Sequence, residues 1–182
     1  MKYNRKIFKS TKGNEVEFRL LNENDAENVK NTFEELIKET RFLLKNPTEF
    51  SIDVESERKW IQDHLDADNR LLIGIFVNGK YVGNGELMPV SNREKIRHRS
   101  QIDIGLREEF CNEGIGTELL KELIDYARKY GYEKLELGVF AINERAIHTY
   151  KKVGFKECGR IKNAFKLLDG SYSDEILMEM NL

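Results

Sequence analysis

The sequence contains few of the residues that build disulfide frameworks or metal sites. Its 182 residues include two cysteines, two prolines, one tryptophan and three histidines. Cys111 and Cys158 form no C-x-x-C pair, which argues against a disulfide framework and favours a reducing cytoplasm. His64, His98 and His148 show no ligand spacing relative to one another or to acidic residues, so we predict no bound metal.

Long apolar runs and an excess of one charge sign are also missing. No segment approaches the ~20 apolar residues of a membrane helix, and the basic N-terminus lacks the apolar stretch of a signal peptide. The 30 lysines and arginines are interspersed with 32 aspartates and glutamates, which argues against nucleic acid as a partner. Because 40% of the residues are hydrophobic, we expect a soluble, cytoplasmic protein with residues 1–182 in a single domain.

Strand and helix patterns alternate along the chain. Leu71–Val77 and Tyr81–Met88 flank Asn78-Gly79, a dipeptide that favours the type I′ turn of a β-hairpin. The strand, helix and strand patterns within 101–140 imply a parallel pair of strands with a right-handed crossover. The remaining predicted elements are an opening strand at Val16–Leu21, a helix capped by Asn24 and Glu27, a helix from about Asp53 that buries Trp60, Ile61 and Leu65, a helix at Glu144–Val153 ended by Gly154, and a closing antiparallel pair at 155–161 and 172–180.

These elements predict an α/β fold. We expect a mixed, mostly antiparallel sheet of six to seven strands, flanked by about four helices.

A glycine turn opens the helix at 114–130. The N-terminus of a helix has unpaired backbone N–H groups and a partial positive charge, so it attracts phosphate. Gly114 and Gly116 let the main chain approach such a ligand closely. A strand-to-helix turn that needs flexible backbone explains the same glycines. The segment is neither a Walker loop nor the dinucleotide G-x-G-x-x-G motif.

Asn143 and Tyr150 lie two helical turns apart, so we expect them on the same helix face. Asn143 is a good N-cap, and capping alone explains it. Tyr150 is interpreted either as a core aromatic beside Ile147 and Val153, or as a phenol at the edge of a cleft that donates a proton to a departing thiolate.

In this combination and order, the glycine turn and the segment Asn143–Phe155 resemble the Gcn5-related N-acetyltransferase (GNAT) family. The resemblance covers roughly Leu71–Met180 and implies acetyl-CoA as cosubstrate and no metal. It implies that Tyr150 protonates the sulfur of CoA. It also implies cofactor-binding roles for Ile104 and Leu106 on the pantetheine arm, for Asn112, Gly114, Ile115, Gly116 and Thr117 on the pyrophosphate, for Asn143 on the cofactor arm, and for Lys151 or Lys152 on the adenosine phosphate.

One departure from the family pattern precedes the glycine turn. Cys111-Asn112-Glu113 stands where the family usually has an arginine or glutamine with a second basic residue. The loss of a cation and the gain of Glu113 predict weaker attraction of the pyrophosphate. Cys111 is interpreted either as a reactive thiol, since helix N-termini lower thiol pKa, or as an inert buried cysteine.

By the resemblance, the reaction is direct attack of a primary amine, of a small molecule or a peptide, on the acetyl thioester. Glu86 and Asp103 are the two candidate general bases, and a backbone amide near Leu106 meets the charge on the thioester oxygen. The acceptor side is expected at about 24–70 and the cofactor core at about 71–180. Acids on the acceptor side indicate a cationic acceptor or a solvated helical face: Glu39, Glu49, Asp53, Glu55 and Glu57.

Two other functions fit the same residues. The chain is alternatively a non-catalytic CoA-binding or interaction module, or a nucleotide enzyme that uses the glycine turn with Asp103 as a metal ligand. Exposed strand edges also permit a homodimer.

Overall fold

The computed structural model describes residues 3–46 and 53–182, which form one eight-stranded sheet with helices on both faces. The strand order is β1-β2-β3-β4-β5-β6-β8-β7, and all neighbours run antiparallel except the parallel pair β5 and β6. The strands are β1 (Lys6–Lys9), β2 (Glu15–Leu20), β3 (Leu71–Val77), β4 (Lys80–Pro89), β5 (Arg99–Leu106), β6 (Lys134–Phe140), β7 (Lys156–Lys166) and β8 (Tyr172–Asn181). The α-helices are α1 (Ala26–Glu39), α2 (Val54–Leu65), α3 (Ile115–Tyr130) and α4 (Glu144–Val153).

The predicted mixed, mostly antiparallel sheet with four helices is confirmed, but the sheet has more strands than the predicted six to seven. The strand that prediction missed is β1, which has only four residues and lies at a sheet edge. No helix in the described ranges is long and apolar enough to cross a membrane.

Helix α3 covers one face of the sheet, begins at the predicted glycine turn and ends at a second glycine. Gly114 (φ 80°) and Gly131 (φ 97°) both adopt the left-handed conformation that glycine tolerates best. The buried face of α3 follows helical spacing and packs into the main core cluster with the strands.

Helices α1 and α2 cover the other face. There, Leu72, Phe76 and Tyr81 form a second core cluster with Val29 and Ile61. Residues of β3 alternate between the two clusters because successive side chains of a strand point to opposite faces.

Two predictions about these helices were wrong in detail. The capping box uses Asn22 and Asp25 rather than Asn24 and Glu27. The Asp25 carboxylate accepts two hydrogen bonds from the Arg19 guanidinium (2.7 and 2.8 Å), which fixes this residue at the helix start. On α2, which Asp53 caps as predicted, Ile61 is buried and Trp60 half-buried, but Leu65 is 42% exposed.

The predicted hairpin between β3 and β4 is confirmed. Asn78 (φ 49°) and Gly79 (φ 81°) both have the positive φ that a type I′ turn requires. The helix at Glu144–Val153, ended by Gly154, also has the predicted bounds.

The closing antiparallel pair is longer than predicted. Strand β7 runs to Lys166 rather than ending at 161, because register shifts let the chain continue past Ile161. Strand β8 pairs with both β7 and β6, so β7 forms the outer edge.

The parallel strands β5 and β6 separate after a short ladder. Arg99–Gln101 pairs with Lys134–Glu136, and in the described chain the ladder ends there although β5 continues to Leu106 and β6 to Phe140. The carboxyl halves of the two strands therefore form the walls of a wedge that opens between α3, α4 and α1.

Candidate active site

A cleft of ≈ 1970 Å³ occupies the wedge between β5 and β6. It extends from the first turn of α3 to the inner face of α1. The predicted site residues that line it are Glu86, Asp103, Ile104, Leu106, Asn112, Gly114, Gly116, Thr117, Asn143 and Tyr150. Ile115 differs from these because its side chain is buried in the core (1% exposed), so it offers the cleft only its backbone N–H.

Backbone donors point into the cleft from β5. The N–H of Arg107 bonds to the carbonyl of Val82 on β4 (3.0 Å). Since successive N–H groups of a strand point to opposite sides, those of Ile104 and Leu106 face the β6 side. These are the positions whose backbone the sequence singled out.

The glycine turn presents unpaired backbone N–H groups at one end of the cleft. Asn112 (φ 60°) and Gly114 (φ 80°) bend the chain into α3. The first helical bond runs from the Glu118 N–H to the Gly114 carbonyl (3.1 Å), so the N–H groups of 115–117 have no partner within the helix. A Cβ placed on Gly116 would meet no atom within 4 Å, which leaves room for a ligand above the turn.

Glu113 does not face that site, which corrects the expectation that it opposes an anion there. Its side chain is only 2% exposed and accepts hydrogen bonds from Ser10 Oγ (2.7 Å) and Asn14 Nδ2 (2.9 Å). Lys12 Nζ lies 3.3 Å from the same carboxylate. The hydrogen bonds from Ser10 and Asn14, followed by Lys12, lower the pKa of Glu113. This carboxylate therefore anchors the turn to the β1–β2 connection.

Cys111 has the environment of a protonated thiol. Its Sγ lies 3.5 Å from the carbonyl oxygen of Arg107. Burial raises the pKa of the thiol, although the charge of Arg145 acts in the opposite direction. The inert cysteine is therefore the better of the two interpretations.

Basic side chains of α4 line the cleft near the turn, and sequence reasoning missed most of them. Arg145, His148 and Lys152 share one helix face and border the cleft. Lys152 was one of two lysines considered for the adenosine phosphate, whereas Lys151 does not line the cleft. The missing cation before the glycine turn is thus partly replaced from α4. The i, i+3, i+7 spacing of these basic side chains was the signal available in the sequence.

Asn143 begins α4 and also borders the cleft. Its Oδ1 accepts a hydrogen bond from the Ala146 N–H (3.2 Å), which is the predicted N-cap. The cap uses only the side-chain oxygen, so the two N–H donors of the same amide are not consumed by it.

Tyr150 is both a packed aromatic and part of the cleft wall. Its ring packs edge-on against Phe155, with centroids 5.9 Å apart, and it also lines the cleft. Burial, and then the charge of Asp103, raise the pKa of Tyr150 to about 12. The phenol is therefore protonated at neutral pH, as a proton donor must be.

Glu86 and Asp103 are directly opposite each other in the β4–β5 register. Ile102 is buried in the core on the opposite face of the sheet, and Asp103 is exposed to the cleft. Protein atoms around this side chain still desolvate it, so burial first and the charge of Glu86 second raise the pKa of Asp103. Glu86 is 8% exposed and its Oε1 lies 2.5 Å from Nε2 of His64 on α2, a partner that sequence reasoning missed.

Acidic and aromatic side chains line the far end of the cleft. Glu57 and Trp60 of α2 form one wall, and Phe165 stacks on Phe140 (centroids 3.8 Å apart) at the other. Glu175 lies over Gly138, where any Cβ would collide with its carboxylate. Of the acceptor-side acids considered from sequence, Glu39 and Glu57 line the cleft, Asp53 and Glu55 do not, and Glu49 lies outside the described residues.

Comparison with known proteins identifies the class to which this fold and cleft belong. Residues 32–155 match the acetyltransferase (GNAT) family. The chain therefore belongs to the GNAT acetyltransferase family.

Individual relatives agree with this assignment. An N-acetyltransferase of Methanocaldococcus jannaschii is 36% identical over 94 residues, which is 50% of this chain and 42% of that protein. The match thus spans less than half of that relative's length. Spermidine N(1)-acetyltransferase of Escherichia coli K12 is 25% identical over 76% of this chain and 71% of its own.

Solved structures share the fold over nearly the whole chain. The GNAT-family acetyltransferase of Streptococcus pneumoniae has a TM-score of 0.86 and 25% identity, covering 92% of this chain and 99% of its own. A Salmonella typhimurium structure that contains its cofactor acetyl-CoA has a TM-score of 0.81 and 17% identity, with 92% and 94% coverage.

Proposed function

We propose that this protein transfers an acetyl group from acetyl-CoA to a primary amine of a small molecule or protein, by direct attack. The observation that carries the proposal is the cleft between β5 and β6. It has an anion-binding helix N-terminus at one end and a neutral phenol with two carboxylates at the other. Membership of the GNAT family supports this activity.

The residues of the cleft fit acetyl-CoA. The N–H groups of 115–117 would bind the pyrophosphate, with Arg145 and Lys152 near enough to offset its charge. The N–H groups of Ile104 and Leu106 have no ladder partner on the described strand β6 and would donate hydrogen bonds to the pantetheine arm instead. Acetyl-CoA supplies the acetyl group activated as a thioester.

The catalytic roles follow from the protonation states of the side chains. An acceptor amine must lose its proton before it attacks, and Glu86 or Asp103 would take it. The N–H of Leu106 would stabilise the charge that gathers on the thioester oxygen. Tyr150 would donate its proton to the departing sulfur, which its raised pKa leaves possible throughout the neutral range.

Carboxylates and aromatic rings at the acceptor end favour a cationic acceptor. Glu57 is buried (8% exposed) yet borders the cleft beside Trp60, and Glu175 borders it opposite. Amines carry positive charge at neutral pH, so these groups would concentrate them near Asp103. The wall of described residues between 24 and 70 would determine which amine fits.

Cellular location and assembly are part of the same proposal. Cys111 and Cys158 are free thiols, in keeping with a reducing cytoplasm. The outer strand β7 carries Ile161 with 49% of its surface exposed, which favours pairing with a second copy.

Ligand binding to the wild type and to Gly116→Trp tests the proposal. Acetyl-CoA and CoA should raise the melting temperature of the wild type, because both bind only the folded state. The indole of Gly116→Trp would fill the space above the glycine turn and abolish that rise. Turnover of amines, followed as free thiol, would then separate an enzyme from a non-catalytic CoA-binding module.

Lys129→Trp is the matched control, since it places an exposed indole at the other end of α3. This variant should respond to acetyl-CoA as the wild type does. Stabilisation by ATP with Mg²⁺ but by neither CoA species would contradict the proposal and favour the nucleotide enzyme.

A further inference from the structure

The two ring nitrogens of His64 each face an oxygen atom. Nδ1 lies 2.8 Å from the backbone carbonyl oxygen of Trp60, one turn earlier in α2. Nε2 lies 2.5 Å from Oε1 of Glu86 on β4. The side chain of His64 is 2% exposed and that of Glu86 is 11% exposed, so water does not separate the two groups from each other.

These contacts fix the number of protons in the pair. A carbonyl oxygen can only accept, so Nδ1 must carry a proton. Neutral imidazole then has a bare Nε2, and a bare nitrogen repels an ionised carboxylate at this distance. The close approach of Nε2 to Oε1 is favourable only if the pair carries one further proton, as an imidazolium beside a carboxylate or as an imidazole beside a carboxylic acid.

A carboxylate held in this way is a poor general base. The positive charge of an adjacent imidazolium lowers the proton affinity of the carboxylate, and in the other form the group already carries a proton. Asp103 lacks such a partner among the described residues and is exposed to the cleft, directly across from Glu86. The acceptor amine can therefore reach Asp103 and not the oxygen that His64 occupies.

We propose that His64 and Glu86 form a buried pair that holds one proton besides the one on Nδ1, and that this pairing leaves Asp103 as the carboxylate that takes the proton of the acceptor amine. This inference rests on the acetyltransferase activity proposed above. His64 and Glu86 are positioning residues in this scheme, and Asp103 is the catalytic residue.

The charged groups around the pair are consistent with an imidazolium. Burial lowers the pKa of His64, but the contacts with Glu86 and the Trp60 carbonyl outweigh it, so the pKa is raised. Arg70, ahead of β3, acts against protonation, and Asp63 of the same helix lies near enough to be affected by the ring. Asp103, on β5, lies across from Glu86. Its charge also acts on Tyr150, which lies on α4.

The reaction balances in protons and electrons. The ammonium group of the acceptor gives one proton to Asp103, and the lone pair released on nitrogen forms the C–N bond to the acetyl carbon as the C–S bond breaks. Tyr150 gives its proton to the departing sulfur and recovers one from the nitrogen as the amide forms. Asp103 then releases its proton to water in the cleft.

Nuclear magnetic resonance tests the proton count without any substrate. In ¹⁵N-labelled wild type, we expect His64 to keep a proton on Nδ1 throughout and to titrate at higher pH than the value of about 6.5 of an unperturbed histidine. In Glu86→Gln, we expect it to titrate at lower pH. The resonances are assigned with His64→Gln. A neutral His64 with its proton on Nε2 would overturn the proposal.

The pH dependence of kcat/KM tests the roles. Asp103→Asn should lower kcat/KM by about 10²–10⁴-fold, the usual contribution of a general base, and Glu86→Gln by less than about tenfold. Glu86→Gln removes negative charge beside Asp103, so the ascending limb should move to lower pH. His64→Gln leaves Glu86 without its positive partner, so the limb should move to higher pH.

The ascending limb is expected to move in opposite directions in Glu86→Gln and His64→Gln. A purely structural role of His64 would not produce this result. Glu94→Gln, at an exposed position between β4 and β5, is the control and should leave the limb in place. A loss in Glu86→Gln as large as in Asp103→Asn, or shifts in the same direction, would contradict the inference.

Failure of the proposed function gives a different pattern. If no amine is acetylated, a ¹³C titration of the Asp103 carboxyl in the same variants measures the same opposite shifts directly. If the shifts occur without turnover, the coupling of His64, Glu86 and Asp103 is supported and the proposed acetyltransferase activity is contradicted. If turnover occurs without the shifts, the activity is supported and the coupling is contradicted. If Glu86→Gln does not fold, the wild-type resonances of His64 still decide the proton count.

Discussion

Three side chains of the cleft, Asp103, Glu86 and Tyr150, lie close together but have different surroundings. Asp103 and Glu86 are register partners, yet one is exposed to the cleft and the other is held by His64. Tyr150 lies near the charge of Asp103. It keeps its proton because burial and that charge both disfavour the phenolate.

At the residue scale, Tyr150→Phe should lower kcat by about 10²–10⁴-fold, since it removes the proton donor and little else. Acetyl-CoA affinity should stay close to that of the wild type because the ring and its packing against Phe155 remain. Steady-state kinetics with a binding titration measure both quantities.

The pKa of about 12 implies that the donor form of Tyr150 persists into alkaline solution. The loss in Tyr150→Phe should thus be similar at about pH 7 and about pH 9. Tyr172→Phe, at a 56% exposed position, is the control and should retain full activity. A loss that disappears at the higher pH would contradict this role.

Among the elements, the glycine turn depends on a segment far from it in sequence. Glu113 connects the start of α3 to Ser10, Lys12 and Asn14, and the Thr11 N–H bonds to the Glu113 carbonyl (3.1 Å). The connection between β1 and β2 therefore supports the glycine turn on the side away from the cleft.

Glu113→Ala should destabilise the fold by about 1–3 kcal/mol, because it leaves the buried Ser10 hydroxyl without its acceptor. The native pKa of Glu113 is lowered, so its contribution is present above the unfolded pKa of about 4.5 and is lost as pH falls through the native value. The gap between wild type and variant should thus narrow on acidification. Urea unfolding at neutral and acidic pH measures it.

Glu94→Ala is the matched control for that experiment, since Glu94 is exposed and lies on a connection. It should change the free energy of unfolding by no more than about 0.5 kcal/mol. An equal loss in both variants would show that the bonds from Ser10 and Asn14 do not support the turn.

Local signals explain which elements the sequence could predict. Gly131 and Gly154 end their helices, and Asn78-Gly79 defines the hairpin, so those bounds were predicted within a residue or so. Strand β1 has too few residues to show a period, and the register shifts in β7 depend on its partner β8.

The site was predictable only in part, for a related reason. The glycine turn and the Asn143–Tyr150 helix each lie within one continuous segment. The pair of His64 and Glu86 joins α2 to β4, and Arg145 approaches Cys111 across the cleft. Such contacts depend on packing, which no local pattern reports.

On the scale of the whole molecule, the sheet consists of two parts joined by a short parallel ladder. Strands β1–β5 and β6–β8 connect through the pairing of Arg99–Gln101 with Lys134–Glu136. The backbone beyond that ladder faces the cleft.

Hydrogen exchange should detect this division. The amides of Ile104 and Leu106 should exchange quickly in the free protein and slowly with acetyl-CoA, since a bound pantetheine arm would accept their protons. Amides of the central strand β3 (Leu71–Val77) are the internal control and should not change. Equal protection in both states would contradict the proposed binding mode.

The position of β8 has a consequence for how the molecule is made. This strand follows β7 in the chain but lies between β6 and β7 in the sheet. A nascent chain that has left the ribosome only as far as β7 therefore exposes a bare edge of β6 and cannot seat β7 at all. Residues 172–181 must emerge before β7 finds its partner and before β6 pairs along its second edge, so the second part of the sheet assembles after synthesis of β8 rather than in chain order.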